Sequence, residues 1–206
     1  MVTVLDHPLI QDKLTQVRDR QTRSDHFRKL VDEIAVLMAY DMTRDLQVKQ
    51  VPVETPVGTA MGIRIAHEEF AIATVLRAGL GMVNGFLEVI PQAQVVHVGL
   101  YRDHDTLEPV QYYRNMPASL PRRHIIIVDP MLATGGSLVA TTEILVAEGP
   151  RSIKVACLVA APEGVAAFEE RFPDIPLFVA AIDEGLNQRG YIVPGLGDAG
   201  DRLFNT

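Results

Sequence analysis

Apolar positions along this chain change period several times, and the changes mark out its elements. Leu9, Ile10, Leu14 and Val17 recur at helical spacing behind Pro8, a residue suited to a first helical turn. Phe27, Leu30, Val31, Ile34, Leu37 and Met38 form one broad helical face after Ser24, which reads as an N-cap. From Gln47 to Arg64 the helical period is lost, and Val51, Val53 and Val57 are interrupted by Pro52, Pro56, Gly58 and Gly62. Prolines exclude a central strand, so residues 46–66 read as a protruding β-arm. From Phe70 onward short apolar runs alternate with helical patterns. The predicted strands cover 71–76, 95–100, 125–128, 153–160 and 177–182, and the predicted helices 81–90, 136–148 and 163–172. Such alternation predicts an α/β fold with a parallel, doubly wound sheet. Residues 185–206 show no clear period but are rich in glycine, and a tail of that kind in a compact domain is functional more often than idle.

Composition narrows the class. The 206 residues fit a single domain, 1–206, of an ordinary globular enzyme with 48% hydrophobic and 22% charged residues. A net charge of −7 argues against nucleic acid as the main partner and against anionic membranes. No apolar run approaches the roughly 20 residues that span a bilayer, and the first residues lack the basic-then-apolar pattern of a signal peptide. The single Cys157 lies in the apolar run Val155–Val159, where it has no internal disulfide partner. A cytoplasmic, reducing location is the resulting expectation. One cysteine and scattered histidines also exclude a zinc site of ordinary spacing, so no direct protein metal ligand is expected.

The densest chemistry lies in Ile125–Leu138. An apolar strand ends in Asp129, passes through a loop containing Thr134, Gly135, Gly136 and Ser137, and enters a helical pattern. Glycines let backbone approach a ligand, hydroxyls donate, and a helix start offers unpaired N–H groups at the positive end of its dipole. That set suits a phosphate monoester, with Asp129 placed for sugar hydroxyls or a cation. The loop has neither the Gly-Lys-Ser/Thr of a Walker loop nor the spacing of a dinucleotide fingerprint. Taken alone it could equally be a plain turn. Arg77 and Arg102 each end a predicted strand, and either one alone would read as a solvated charge. Arg77-Ala78-Gly79-Leu80-Gly81 looks like a second amide-lined anion site at a helix start. The charged stretch 101–109 is either a surface hairpin or a lid carrying Arg102, with His104 a solvated residue of that lid.

Val128-Asp129-Pro130-Met131-Leu132-Ala133-Thr134-Gly135-Gly136-Ser137 resembles the phosphoribosyl-pyrophosphate (PRPP) motif of type I phosphoribosyltransferases. Pro130 stands where that motif usually has a second acid, a form seen in the uracil phosphoribosyltransferases. Leu5–Ile10, Leu76–Leu80 and Gly195–Arg202 match the same family in order. The resemblance implies a type I phosphoribosyltransferase-like sheet flanked by helices, with a hood from N- and C-terminal segments. It implies a pentosyltransferase that makes UMP and diphosphate from uracil and PRPP. PRPP would meet Arg77, Arg102, Asp129, Pro130, Met131, Leu132, Ala133, Thr134, Gly135, Gly136, Ser137 and Asp198. Uracil would meet Ile192, Gly197, Asp198 and Ala199 within a base-binding segment, 183–206. Arg77, Arg102 and Asp198 are the candidate catalytic residues. Mg²⁺ is expected with the pyrophosphate, held by few protein ligands. GTP is an effector in parts of the family, though no residue here argues for it. The apolar arm implies a homodimer or a dimer of dimers. A pyrimidine-operon RNA-binding regulator of the same fold, or a transferase for another base, is the alternative.

Overall fold

In the computed structural model, which describes residues 2–66, 69–102 and 109–206, the apolar runs become parallel strands covered on both faces. In chain order the elements are β1 (Val2–Val4), α1 (Pro8–Arg18), α2 (Ser24–Met42), β2 (Val48–Thr55), β3 (Gly58–Ile65), β4 (Glu69–Leu76) and α3 (Leu80–Val89). There follow β5 (Gln94–Arg102), β6 (Pro109–Asn115), β7 (Arg123–Val128), β8 (Met131–Leu132), α4 (Gly136–Ala147) and β9 (Ser152–Ala160). The chain ends with α5 (Pro162–Arg171), β10 (Leu177–Ile182), β11 (Gly185–Leu186), β12 (Ile192–Val193) and α6 (Ala199–Phe204).

The main sheet runs β1-β10-β9-β7-β4-β5-β6, with β8 beside β9, and every pairing is parallel except β5 with β6. Strand side chains alternate between its two faces. Ile72, Ile126, Val128 and Leu158 pack with α1, α2 and α3, whereas Ala73, Ile127, Val155 and Cys157 pack with α4 and α5. Both faces are therefore apolar, which is why the strands carry no in–out polarity in the sequence. β4 and β7 are neighbours, yet the helix after β4 covers one face and the helix after β7 the other. The chain thus parts at the carboxyl ends of these two strands, leaving the crevice where open α/β sheets bind ligands.

The parallel α/β architecture read from the sequence is borne out, but several elements differ. Both edge strands were invisible to periodicity. β1 is only three residues long, and β6 occupies part of the polar stretch, where tyrosines and Arg114 give a sheet edge ordinary polar cover. Ser24 is not the cap of α2 but its first residue, and its hydroxyl donates to Asn205 Oδ1 at 3.2 Å. The aperiodic tail contains the short β11–β12 hairpin and α6. β2 and β3 pair only with each other, leaving Val48, Met61, Ile63 and Ile65 between 51% and 70% exposed. Among the described residues no helix is long and apolar enough to cross a membrane.

Three arginines from or beside the N-terminal helices and α6 join the two chain ends. Arg18, in the last turn of α1, donates to both Asp183 oxygens at 2.8 and 2.5 Å and to Gly195 O at 2.7 Å. Arg202 donates to Leu196 O and Asp19 O at 2.8 and 2.6 Å and to Val17 O, with its guanidinium 4.3 Å from the Phe27 ring centroid. Arg28 of α2 donates to Leu203 O at 2.7 Å. Backbone carbonyls that no ladder uses are satisfied in this way, and the segment 183–204 is fixed over the carboxyl ends of the strands.

Candidate active site

Asp129 follows the last residue of β7 and is 8% exposed. Its N–H donates to Ala156 O at 3.1 Å, and its Oδ1 accepts the Met131 N–H at 3.3 Å. Burial raises its carboxyl from the ordinary 3.8 up to about 7, with the Met131 N–H opposing the shift. The buried Cys157 thiol on β9 is raised by burial and by the nearby Asp129 charge. Beyond Asp129 the chain is clamped to β9. Pro130 O accepts the Leu158 and Val159 N–H groups at 3.1 Å, β8 pairs with Val159 and Ala160, and Leu132 O accepts from Ala161 N at 2.8 Å. Pro130 is buried and Leu132 packs its side chain in the core, so both frame the loop rather than offer side chains to a ligand.

The two glycines have different work. Gly135 holds φ +87°, and a Cβ there would press within 3.2 Å of Ala167 Cβ and 3.3 Å of Gly164 O on α5. Gly136 has an ordinary φ, and a Cβ there would meet nothing nearer than Thr134 Oγ1 at 3.9 Å. The first glycine shapes the loop and the second keeps space clear. The amides of Gly135, Gly136, Ser137 and Leu138 have no protein acceptor among the described residues and lie at the start of the twelve-residue α4. Open donors at the positive end of a helix are an anion cradle.

The turn after β4 is wound differently from the α4 cradle. Gly79 N–H donates to Val75 O at 2.9 Å, Leu80 N–H to Arg77 O at 3.2 Å and Gly81 N–H to Ala78 O at 3.1 Å. The amides of Gly79, Leu80 and Gly81 are committed to the turn itself, whereas those of Arg77 and Ala78 have no protein acceptor among the described residues. What the turn contributes is Arg77, whose side chain is 59% exposed and whose Nη2 lies 3.3 Å from Asp201 Oδ1. Asp198, on the other side, caps α6 by accepting the Asp201 N–H at 2.9 Å. Arg102 is the last residue of β5, the strand beside β4, and of the lid predicted at 101–109, residues 103–108, with His104, lie outside the described residues.

Two adjoining cavities occupy the crevice. The larger is lined by Arg77, Asp129, Thr134, Gly136, Ser137 and Asp198, among others. The smaller, about 240 Å³, is lined by Ala78, Met131, Ile192, Gly197, Asp198 and Ala199. Met131, Ala133, Gly190, Tyr191 and Asp198 border both. Ile192 and Ala199 are only 4% and 2% exposed and pack their side chains in the core, so their backbone groups face the smaller cavity. A Cβ at Gly195, φ +61°, would collide with Ile192 O, so the bend below that cavity requires glycine. Sequence reading did not single out Arg189 and Gly190, which lack a motif of their own. Among the described residues no three His, Cys, Asp or Glu side chains stand together as a metal site.

Comparison with known proteins agrees with this geometry. Residues 4–206 match the family model for uracil phosphoribosyltransferase. The chain is 57% identical over 205 residues to a protein named uracil phosphoribosyltransferase from Halalkalibacterium halodurans, covering 100% of this chain and 98% of that one. A protein of the same name from Dictyoglomus turgidum is 52% identical over the full length of both. Among solved structures, a protein of Aquifex aeolicus superposes with a TM-score of 0.92 at 38% identity, over 99% of this chain and 98% of the other. A purine phosphoribosyltransferase from Pyrococcus horikoshii, at 16% identity and TM-score 0.52 over 75% of this chain and 84% of that one, shares the fold.

Asp129 gives this site a pH signature. An unfolded aspartate ionises near 3.8, whereas the buried one keeps its proton to about 7. The folded chain therefore holds the extra proton between those values, and its stability falls as pH rises through that window, by at most about 1.4 kcal/mol per pH unit. Asp129→Asn removes this contribution while keeping an acceptor for the Met131 N–H. The variant is expected to melt above the wild type at pH 8, with the gap closing toward pH 4. Thermal melts from pH 4 to 8 check this, and a gap that widens toward acid would contradict it.

Proposed function

This chain belongs to the uracil phosphoribosyltransferase family, and from that premise we propose that its paired cavities join uracil to PRPP, giving UMP and pyrophosphate with inversion at the anomeric carbon. The observation that carries the reading is the adjacency of the two cavities across Met131, Ala133 and Asp198 at the crevice between β4 and β7. The open amides around Gly136 receive the 5′-phosphate, and Asp129 receives the ribose hydroxyls. Two hydroxyl donors on its carboxylate favour the charged form that burial disfavours. Arg77, with Arg102 from the neighbouring strand, holds the pyrophosphate as charge grows on it.

Uracil fits the smaller cavity by chemistry as well as size. Its acceptor–donor–acceptor edge meets backbone groups at Ile192 and Gly197–Ala199, with no charged side chain needed. Cytosine reverses part of that pattern and would leave buried groups unpaired. Placing uracil N1 in line with the anomeric carbon is a proximity effect that needs no nucleophilic side chain. Mg²⁺, when bound with the pyrophosphate, would supply charge neutralisation there. Such a metal would be carried mostly by substrate oxygens and water. Asp198 borders both cavities and is the side chain placed to hold that complex or to take the N1 proton.

On this reading residues 183–206 form the base-binding hood and residues 46–66 the dimer-forming arm of one domain acting in the cytoplasm. GTP as an effector rests on the family resemblance alone. The acidic balance of the chain disfavours the RNA-binding alternative. Incubating the enzyme with PRPP, Mg²⁺ and a panel of bases tests the reading: UMP is expected from uracil, with no nucleotide from cytosine or hypoxanthine. In the same assay Gly136→Val should raise the PRPP Michaelis constant about tenfold or more by filling the space above the cradle. Product from hypoxanthine but not uracil would overturn the assignment.

The arm generates a separate expectation. Val48, Met61, Ile63 and Ile65 are exposed on a hairpin that pairs with no other strand among the described residues, and a second copy covers such a surface. Light scattering at micromolar concentration should return a dimer or a dimer of dimers, and an active monomer would reject the contact.

A further inference from the structure

The turn joining β11 to β12 is built around one side chain. Asn187 Oδ1 accepts the N–H groups of Arg189 and Tyr191 at 2.9 and 3.0 Å. The Asn187 N–H donates to Tyr191 O at 2.8 Å, and its carbonyl accepts from Gly190 N at 2.9 Å. Bonds in both directions close the turn and fix where Arg189 and Tyr191 stand. The base of the same hairpin is tied to α5, because Leu186 N–H donates to Glu163 Oε1 at 3.2 Å. α5 in turn backs the cradle, with Gly164 and Ala167 against Gly135. The hairpin therefore rises on the cradle side of the larger cavity, where Arg189 is one of the lining residues.

Charge makes this placement informative. Among the described residues the larger cavity carries two arginines, Arg77 and Arg189, against two aspartates, Asp129 and Asp198. Arg77 already faces Asp201. The Arg189 guanidinium makes no ion pair or hydrogen bond among the described residues, and only its backbone is engaged. An uncommitted, planar cation held by a stitched turn beside open amides suits a phosphate that needs donors from two directions.

We propose that Arg189 is a further phosphate-binding residue, closing on the 5′-phosphate of PRPP and UMP from the β11–β12 side. The assignment rests on the reading that the α4 cradle takes that phosphate. It also links the two halves of the site: Tyr191 in the same turn borders the base cavity, so the 5′-phosphate and the base are felt by one rigid hairpin.

Isothermal titration of the wild type, Arg189→Gln and Arg189→Lys with UMP, PRPP and magnesium pyrophosphate tests the proposal. Arg189→Gln is expected to weaken UMP and PRPP alike by about tenfold, the loss of one solvent-accessible charge-assisted hydrogen bond. Arg189→Lys should recover part of that loss, and pyrophosphate affinity should not change. Unchanged UMP affinity in Arg189→Gln overturns the proposal, as does a loss confined to pyrophosphate. A wild type that bound pyrophosphate but not UMP would instead overturn the underlying reading of the cradle.

Discussion

The smaller cavity, proposed to take the base, depends on the ion pair between Arg18 and Asp183. Asp183 has a side chain only 4% exposed, and it receives both Arg18 nitrogens as well as the Gly195 N–H at 2.8 Å. Arg18 also binds Gly195 O, so one guanidinium and one carboxylate grip the same residue of the 192–197 bend. Removing either partner would leave a buried charge uncompensated, which costs far more than the pair contributes by itself. The element that this pair secures has little regular structure of its own, two two-residue strands and a six-residue helix. Its position is therefore borrowed from α1. That dependence explains why the chain's first helix and last segment belong to one functional unit although they lie far apart in sequence.

The phosphate side uses a different economy. There the parallel sheet does the positioning: β7 places Asp129, β9 clamps the next residues through Pro130 and Leu132, and α4 presents open amides. Backbone donors carry no desolvated formal charge and need no side chain to be ordered, so the cradle exists before a ligand arrives. The charged groups stand at its margins, where Arg77 and Asp201 remain more than half exposed. Only Asp129 is buried, and burial raises its pKa.

How far this was legible in the sequence follows from the physics of each part. Buried parallel strands announce themselves as apolar runs, so β4, β7, β9 and β10 were readable, as was the motif around Asp129. β1 and β6 were not, because an edge strand is defined by a neighbour and not by its own pattern. In the turn at 77–81 the amides of Gly79, Leu80 and Gly81 are committed internally, a difference from the α4 cradle that only hydrogen-bond partners reveal. Gly135 and Gly136 likewise look alike in sequence but answer to α5 and to open space respectively. Arg189 was missed since its placement arises from a turn organised by Asn187 two residues earlier.

On this account α1 fixes the smaller cavity, proposed for the base, through Arg18, while the sheet fixes the cradle independently. Arg18→Lys keeps the charge opposite Asp183 but cannot bind both of its oxygens and Gly195 O together. Steady-state kinetics on this variant, with each substrate varied in turn, should show the uracil Michaelis constant raised about tenfold, near the worth of one charge-assisted hydrogen bond. The PRPP constant should stay within about threefold of the wild type. Equal rises in both constants, or no change in the uracil constant, would contradict the account.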